Sequence, residues 1–72
     1  MEWKGTKAFK EAFTLEGYHL KAMLIEATKY SWDVYKDGIL LYNAKNEDNY
    51  AKSLRIAKAK AKQRMVKHLL SD

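Results

Sequence analysis

The chain contains no cysteine and no proline. Without thiols no disulfide can staple so short a chain, and no cluster of ligands suggests a structural metal in their place. The lack of cysteine fits a reducing compartment. No apolar run is long enough to span a membrane. The N-terminus lacks the continuous apolar segment of a signal peptide. These absences predict a soluble, cytoplasmic protein. Glycine is scarce as well, at three residues. No glycine-rich loop follows a strand, so no phosphate cradle is expected.

Acid is missing from one long stretch. Residues 49–71 hold seven cations and no carboxylate, a net of +7, whereas residues 1–48 hold seven cations and eight acids, a net of −1. Asp72 brings the chain to +5. A field of one sign raises the local concentration of an oppositely charged partner. At 72 residues the chain is read as a single domain with a limited core. Its parts are a loose lead-in over 1–6, an antiparallel sheet over 7–45 and a basic helix over 49–70.

The helix reading rests on composition and start signals. Asn46, Glu47, Asp48 and Asn49 form a polar cluster, and Asp48 or Asn49 can cap a first turn. Lys67 and His68 sit near the other end, where the helix dipole favours cations. Alanine, leucine, lysine, arginine and glutamine fill the interval. Winding at 3.6 residues per turn puts Tyr50, Leu54, Ala57, Ala61, Met65, His68 and Leu69 on one face. The alanines at its middle let a backbone approach closely. Lys58 falls at the stripe's edge and must stretch to water. Ile56, Val66 and Leu70 fall on the back. Such a helix would be about 33 Å long.

Residues 30–44 predict a hairpin. Tyr30, Trp32 and Val34 alternate with Ser31, Asp33 and Tyr35, and Asp37-Gly38 leads into Ile39, Leu40, Leu41 and Tyr42. Asp-Gly between two β-rich runs marks a two-residue type I′ turn. That turn sets Tyr35 opposite Leu40, Val34 opposite Leu41 and Asp33 opposite Tyr42. One face then carries Trp32, Val34, Ile39 and Leu41 and is assigned to the helix. The other carries Asp33, Tyr35, Leu40 and Tyr42 and is left uncovered. Residues 7–27 are ambiguous. Phe9, Phe13 and Leu15 share the parity of an inward strand face, and Tyr18, Leu20, Ala22 and Leu24 alternate, with Glu16-Gly17 as a turn between them. Two strands near 8–15 and 18–26 are expected, and a helix over 7–14 with Thr6 as its cap is the rival. The fold class is therefore α+β: a small antiparallel meander of three to four strands packed on one long C-terminal helix.

Trp32-Asp33-Val34-Tyr35-Lys36-Asp37-Gly38, followed by a strand, a polar turn and a lysine- and alanine-rich helix, resembles the sheet-then-helix half of double-stranded-RNA-binding domains. The same stretch, about residues 30–70, is similar to short proteins of phages and other mobile elements. Where double-stranded-RNA-binding domains place a glycine-containing loop and paired lysines, this chain has Asn46-Glu47-Asp48-Asn49-Tyr50. The resemblance therefore implies an architecture and no phosphate-clamping residues.

No constellation of chemistry is present. His19 and His68 lack a second ligand at helical spacing, and Ser31, Ser53 and Ser71 lack a nearby base, so neither an enzyme nor a cofactor is expected. Two partner classes remain. Lys52, Arg55, Lys58, Lys60, Lys62, Arg64 and Lys67 suit phosphates of a nucleic acid, and five of these seven are lysines, which favour backbone contacts over base readout. Tyr35 and Tyr42, on a free sheet face, would stack on unpaired bases. The alternative is a small phage-type inhibitor or adaptor. It would bind a host protein or nucleoprotein complex through Tyr35, Leu40 and Tyr42, steered by the basic helix to an acidic surface. Homodimerisation through that face is compatible with both. A membrane-surface helix is disfavoured, because the stripe lacks the tryptophan or phenylalanine that such helices bury.

Overall fold

A computed structural model describes residues 1–71. Five strands precede the long helix: β1 (Lys4–Gly5), β2 (Phe9–Phe13), β3 (Tyr18–Glu26), β4 (Lys29–Lys36) and β5 (Ile39–Asn43). They form one antiparallel meander in the order β1-β2-β3-β4-β5. A one-turn helix, α1 (Ala44–Glu47), and then α2 (Leu54–Leu70) complete the chain. The α+β class and the sheet-then-helix order hold. The strand count is five rather than three to four, because the lead-in contributes β1 and residues 7–27 supply two strands.

The rival helix over 7–14 does not form. Thr6 Oγ1 instead accepts from the backbone N–H groups of Ala8 and Phe9, which closes a turn into β2. The inward side of β2 also differs from expectation. Ala12 is fully buried opposite Leu20, while Phe9 and Phe13 take the other face and Leu15 stands exposed in the β2–β3 turn. Small buried residues stand on two adjoining strands, Ala12 on β2 and Ala22 on β3, and Ala22 packs in the core with Ala57 and Ala61 of α2.

The β4–β5 turn has the expected left-handed residues, Asp37 at φ +51° and Gly38 at φ +83°. Tyr35 pairs with Leu40 as read from the turn, but Val34 pairs with Tyr42 and Asp33 with Asn43. Leu41 is the extra residue of a β-bulge. A bulge reverses the parity of everything beyond it. Tyr42 is thereby moved from the uncovered face to the helix side, where it packs against the core.

The long helix starts at Leu54 rather than Asn49. The polar cluster that reads as its cap belongs to α1: Asn43 Oδ1 accepts from Asn46 N at 2.7 Å, and Asp48 ends the turn in a left-handed conformation. Residues 49–53 then lie outside any helix, and Ala51 exchanges backbone hydrogen bonds of 2.8 and 2.9 Å with Tyr30 before the chain bends at Lys52 and Ser53. Tyr50 is accordingly off the helix. Ser53 is the cap of α2, its Oγ accepting from Ile56 N. A helix of 17 residues is about 25 Å long.

The core lies between α2 and the face of the sheet that carries Tyr18, Leu20, Ala22, Trp32 and Val34. Ala57, Ala61 and Met65 are the buried helix residues, as the alanine seam predicts. Leu54 is partly buried beside them, and so are Ile56 and Val66, which were expected on the back. Trp32 Nε1 donates to the carbonyl of Asn49 at 2.8 Å, satisfying the one polar atom of the largest buried side chain.

Candidate nucleic-acid interface

The seven cations of the C-terminal third fall into distinct settings. Lys52 is exposed in the bend before α2, and Arg55, Lys62 and Lys67 are exposed on α2. Lys58, at the edge of the seam, is half-buried, and so are Lys60 and Arg64. Lys60 Nζ donates to Asn49 Oδ1 at 2.6 Å. A neutral amide positions the ammonium without cancelling its charge. Arg64 is different: its Nε lies 2.7 Å from Glu47 Oε1, and its guanidinium stands 5.8 Å from the Trp32 ring. Winding places Arg64 beside the buried stripe, so it serves the α1–sheet junction. Among the described residues it is the one α2 cation held in an ion pair.

The remaining α2 cations line two flanks. Arg55, Lys58 and Lys62 follow one another on one side at helical spacing, and Lys60 and Lys67 lie on the other. The outermost ridge between these flanks carries Ala59, Gln63 and Leu70, all exposed. It bears no aromatic ring.

The tyrosine platform expected from the sequence is divided by the bulge. Tyr35 and Leu40 stay on the uncovered sheet face, opposite α2, while the Tyr42 ring sits 6.3 Å from that of His68 under the helix. On the uncovered face Phe13 stacks on His19 with centroids 4.1 Å apart, and Tyr35 follows at 5.9 Å from His19. Lys21 lies over the Tyr35 ring at 4.9 Å. His19 Nε2 donates to Glu11 Oε1 at 2.7 Å. Asp33 lies on the same face, and its burial pushes its carboxyl up from the usual range, against the opposing pull of Lys21 and His19. This face therefore mixes aromatics with charges of both signs. From the sequence Phe13 is assigned to the inward face and His19 is weighed only as a metal ligand; their place on the uncovered face is missed, although the alternation of His19, Lys21 and Met23 with Tyr18, Leu20 and Ala22 carries the signal for His19.

Among the described residues no three His, Asp or Glu side chains gather as a metal site would require, and no helix is long and apolar enough to cross a membrane. No protein-family model, curated protein or solved structure matches the chain. The likeness to double-stranded-RNA-binding domains and to phage proteins thus stands on the residues alone.

Proposed function

We propose that this chain is a small, non-enzymatic nucleic-acid-binding protein of low sequence specificity that contacts phosphates through α2. The observation that carries the reading is the separation of charge: Arg55, Lys58, Lys60, Lys62 and Lys67 lie on α2 without a carboxylate partner among the described residues. Cations left uncompensated on one rigid element gain by displacing the counterions that surround phosphates. Five such contacts to duplex DNA would weaken binding on the order of several hundred-fold between roughly 50 and 200 mM salt. Lysine-dominated contacts report charge and carry little base information.

The test is a salt titration of binding to random-sequence DNA and RNA. Replacing Arg55, Lys58 and Lys62 together by glutamine should reduce the slope of log affinity against log salt by about 2–3. Negligible affinity at low salt would overturn the reading.

A second reading, a phage-type inhibitor or adaptor that binds a host protein, is favoured by the uncovered sheet face. Phe13 is 65 % exposed there, in a row with Tyr35 and Leu40. Aromatic side chains in such a row are suited to anchor a protein contact. Replacing Phe13 and Tyr35 by serine should then abolish capture of a host protein and spare nucleic-acid binding.

A further inference from the structure

We propose that the nucleic acid is double-helical DNA and that α2 lies along its major groove, with Ala59 and Gln63 facing the groove floor and the two cationic flanks reaching the phosphates on either side. The proposal rests on the nucleic-acid reading above and specifies its ligand and geometry.

Three observations converge on it. The first is the distribution of charge around α2. The seam of Ala57, Ala61 and Met65 packs on the sheet. The far ridge is uncharged, and cations stand on both sides of it: Arg55, Lys58 and Lys62 on one, Lys60 and Lys67 on the other. A flat contact with one strand would use one row. Two rows separated by a helix suit two phosphate walls separated by a groove. A helix with its side chains is about 10–12 Å across, and the major groove of B-DNA is about 12 Å wide. The cations from Arg55 to Lys67 span about 18 Å along the axis, roughly five base-pair steps.

The second observation is the smallness of the ridge. Ala59 has the smallest side chain on the exposed surface of α2 and stands at the middle of the cationic stretch. It lets the helix backbone approach a groove floor. Gln63, one turn on, is the ridge's one side chain able to hydrogen-bond a base edge, and glutamine suits adenine there. One such residue confines base preference to about one position, in keeping with low specificity.

The third observation is where the aromatic rings are. Unpaired strands are held by stacking on aromatic side chains along a basic groove. Tyr35, Phe13 and His19 lie across the sheet from the cations, and Tyr42 is under the helix. Among the described residues the ridge itself carries no ring. Duplex RNA is disfavoured for a separate reason, since its major groove is too deep and narrow for side chains to read. An acidic helix is the competing occupant, because Ile56, Ala59, Gln63, Val66 and Leu70 recur at heptad-like spacing. Ile56 and Val66, however, are already half-buried against this chain's own core. The ridge that remains, Ala59, Gln63 and Leu70, offers one large apolar side chain, at the end of α2, which is too few for a helix seam.

The experiment compares binding of the full chain to a duplex DNA, to a duplex RNA of the same sequence, to the single DNA strand and to poly-L-glutamate, by fluorescence anisotropy at one low salt concentration. Two charge-neutral or near-neutral ridge variants accompany it, Ala59→Phe and Gln63→Ala, each checked for folding by circular dichroism. Both positions are exposed, so the fold should persist. Duplex DNA should bind about 10-fold or more tightly than the other three, and Ala59→Phe should cost about 10-fold for duplex DNA while changing the single strand by less than about 2-fold. Gln63→Ala should reduce any preference between A·T and G·C duplexes. Equal binding to all nucleic acids with no effect of Ala59→Phe overturns the groove geometry and leaves the phosphate-binding function standing. Tighter binding to RNA or to the single strand also overturns it. Poly-L-glutamate binding as well as DNA overturns it in favour of an acidic protein surface. Binding to none of the four overturns this inference and the function on which it rests.

Discussion

The Tyr18 hydroxyl and His68 Nδ1 are 2.7 Å apart, although 50 residues separate them in sequence. Their rings meet edge to face with centroids 5.7 Å apart. This contact joins the start of β3 to the last turn of α2. It fastens the part of the helix that lies beyond the alanine seam.

Replacing Tyr18 by phenylalanine removes the hydrogen bond and keeps the ring. The loss should be about 0.5–1.5 kcal/mol, the ordinary net worth of one such bond. The effect should also be local. Amide exchange should quicken in the last turns of α2, near Lys67 to Leu70, before it quickens around Ala57. Uniform acceleration along the helix would show that the contact does not anchor the end.

The alanine seam sets how near α2 lies to the sheet. Ala57 and Ala61 are fully buried against strands that include Leu20, Ala22 and Trp32. Ala61→Leu lowers helix propensity only slightly and raises hydrophobicity much, yet it should destabilise by about 1–3 kcal/mol, because the added atoms must enter a fully buried helix–sheet contact. Urea unfolding provides the measure. A gain in stability would show that the seam is loosely packed.

The bulge at Leu41 makes two similar tyrosines behave differently. Tyr42→Ser removes a ring packed against the core and near His68, and should cost about 2–4 kcal/mol. Tyr35→Ser alters the uncovered face and should cost less, about 1 kcal/mol. Thermal unfolding of the two variants checks the order. Equal losses would mean that the bulge does not hold in solution.

Asp33 should lower stability at neutral pH. Its burial favours the neutral carboxyl, so the folded chain holds this proton more tightly than the unfolded chain does. Stability contributed by the group is therefore greatest in acid and falls as pH rises through the interval from the unfolded to the folded value. Asp33→Asn should raise the unfolding midpoint at about pH 7, and the advantage should shrink towards about pH 3, where both states are protonated. A deficit at neutral pH would show that the attractions of Lys21 and His19 outweigh burial.

Much of this architecture was legible in local chemistry. The Asp37-Gly38 turn demands left-handed backbone, and both residues have it. The alternation of Tyr18, Leu20, Ala22 and Leu24 marks one face of a strand, and that face is buried through Ala22, with Leu24 exposed beyond it. Ala57, Ala61 and Met65 recur at helical spacing and form the contact stripe. The concentration of cations in the last third is likewise a matter of composition alone. For the candidate site, this was enough to name the cations and not to sort them: Arg64 pairs with Glu47, which is 17 residues away in sequence.

What the sequence by itself determined was the α+β class, the sheet-then-helix order, the Asp37-Gly38 turn and the concentration of positive charge in the last third, because propensity, turn chemistry and periodicity act over a few neighbouring residues. Tertiary structure alone decided which of several equivalent patterns prevailed. Asn43 and Ser53 were chosen as caps over Asp48 and Asn49 because Ala51 pairs with Tyr30 and holds the intervening chain outside any helix. Ala12 rather than Phe9 and Phe13 became the inward side of β2 because the β2–β3 register sets Ala12 opposite Leu20, on the buried face of β3. Tyr42 was turned under the helix by one unpaired residue, Leu41. Each of these outcomes depends on partners distant in sequence, whose closeness is settled only when helix and sheet pack together.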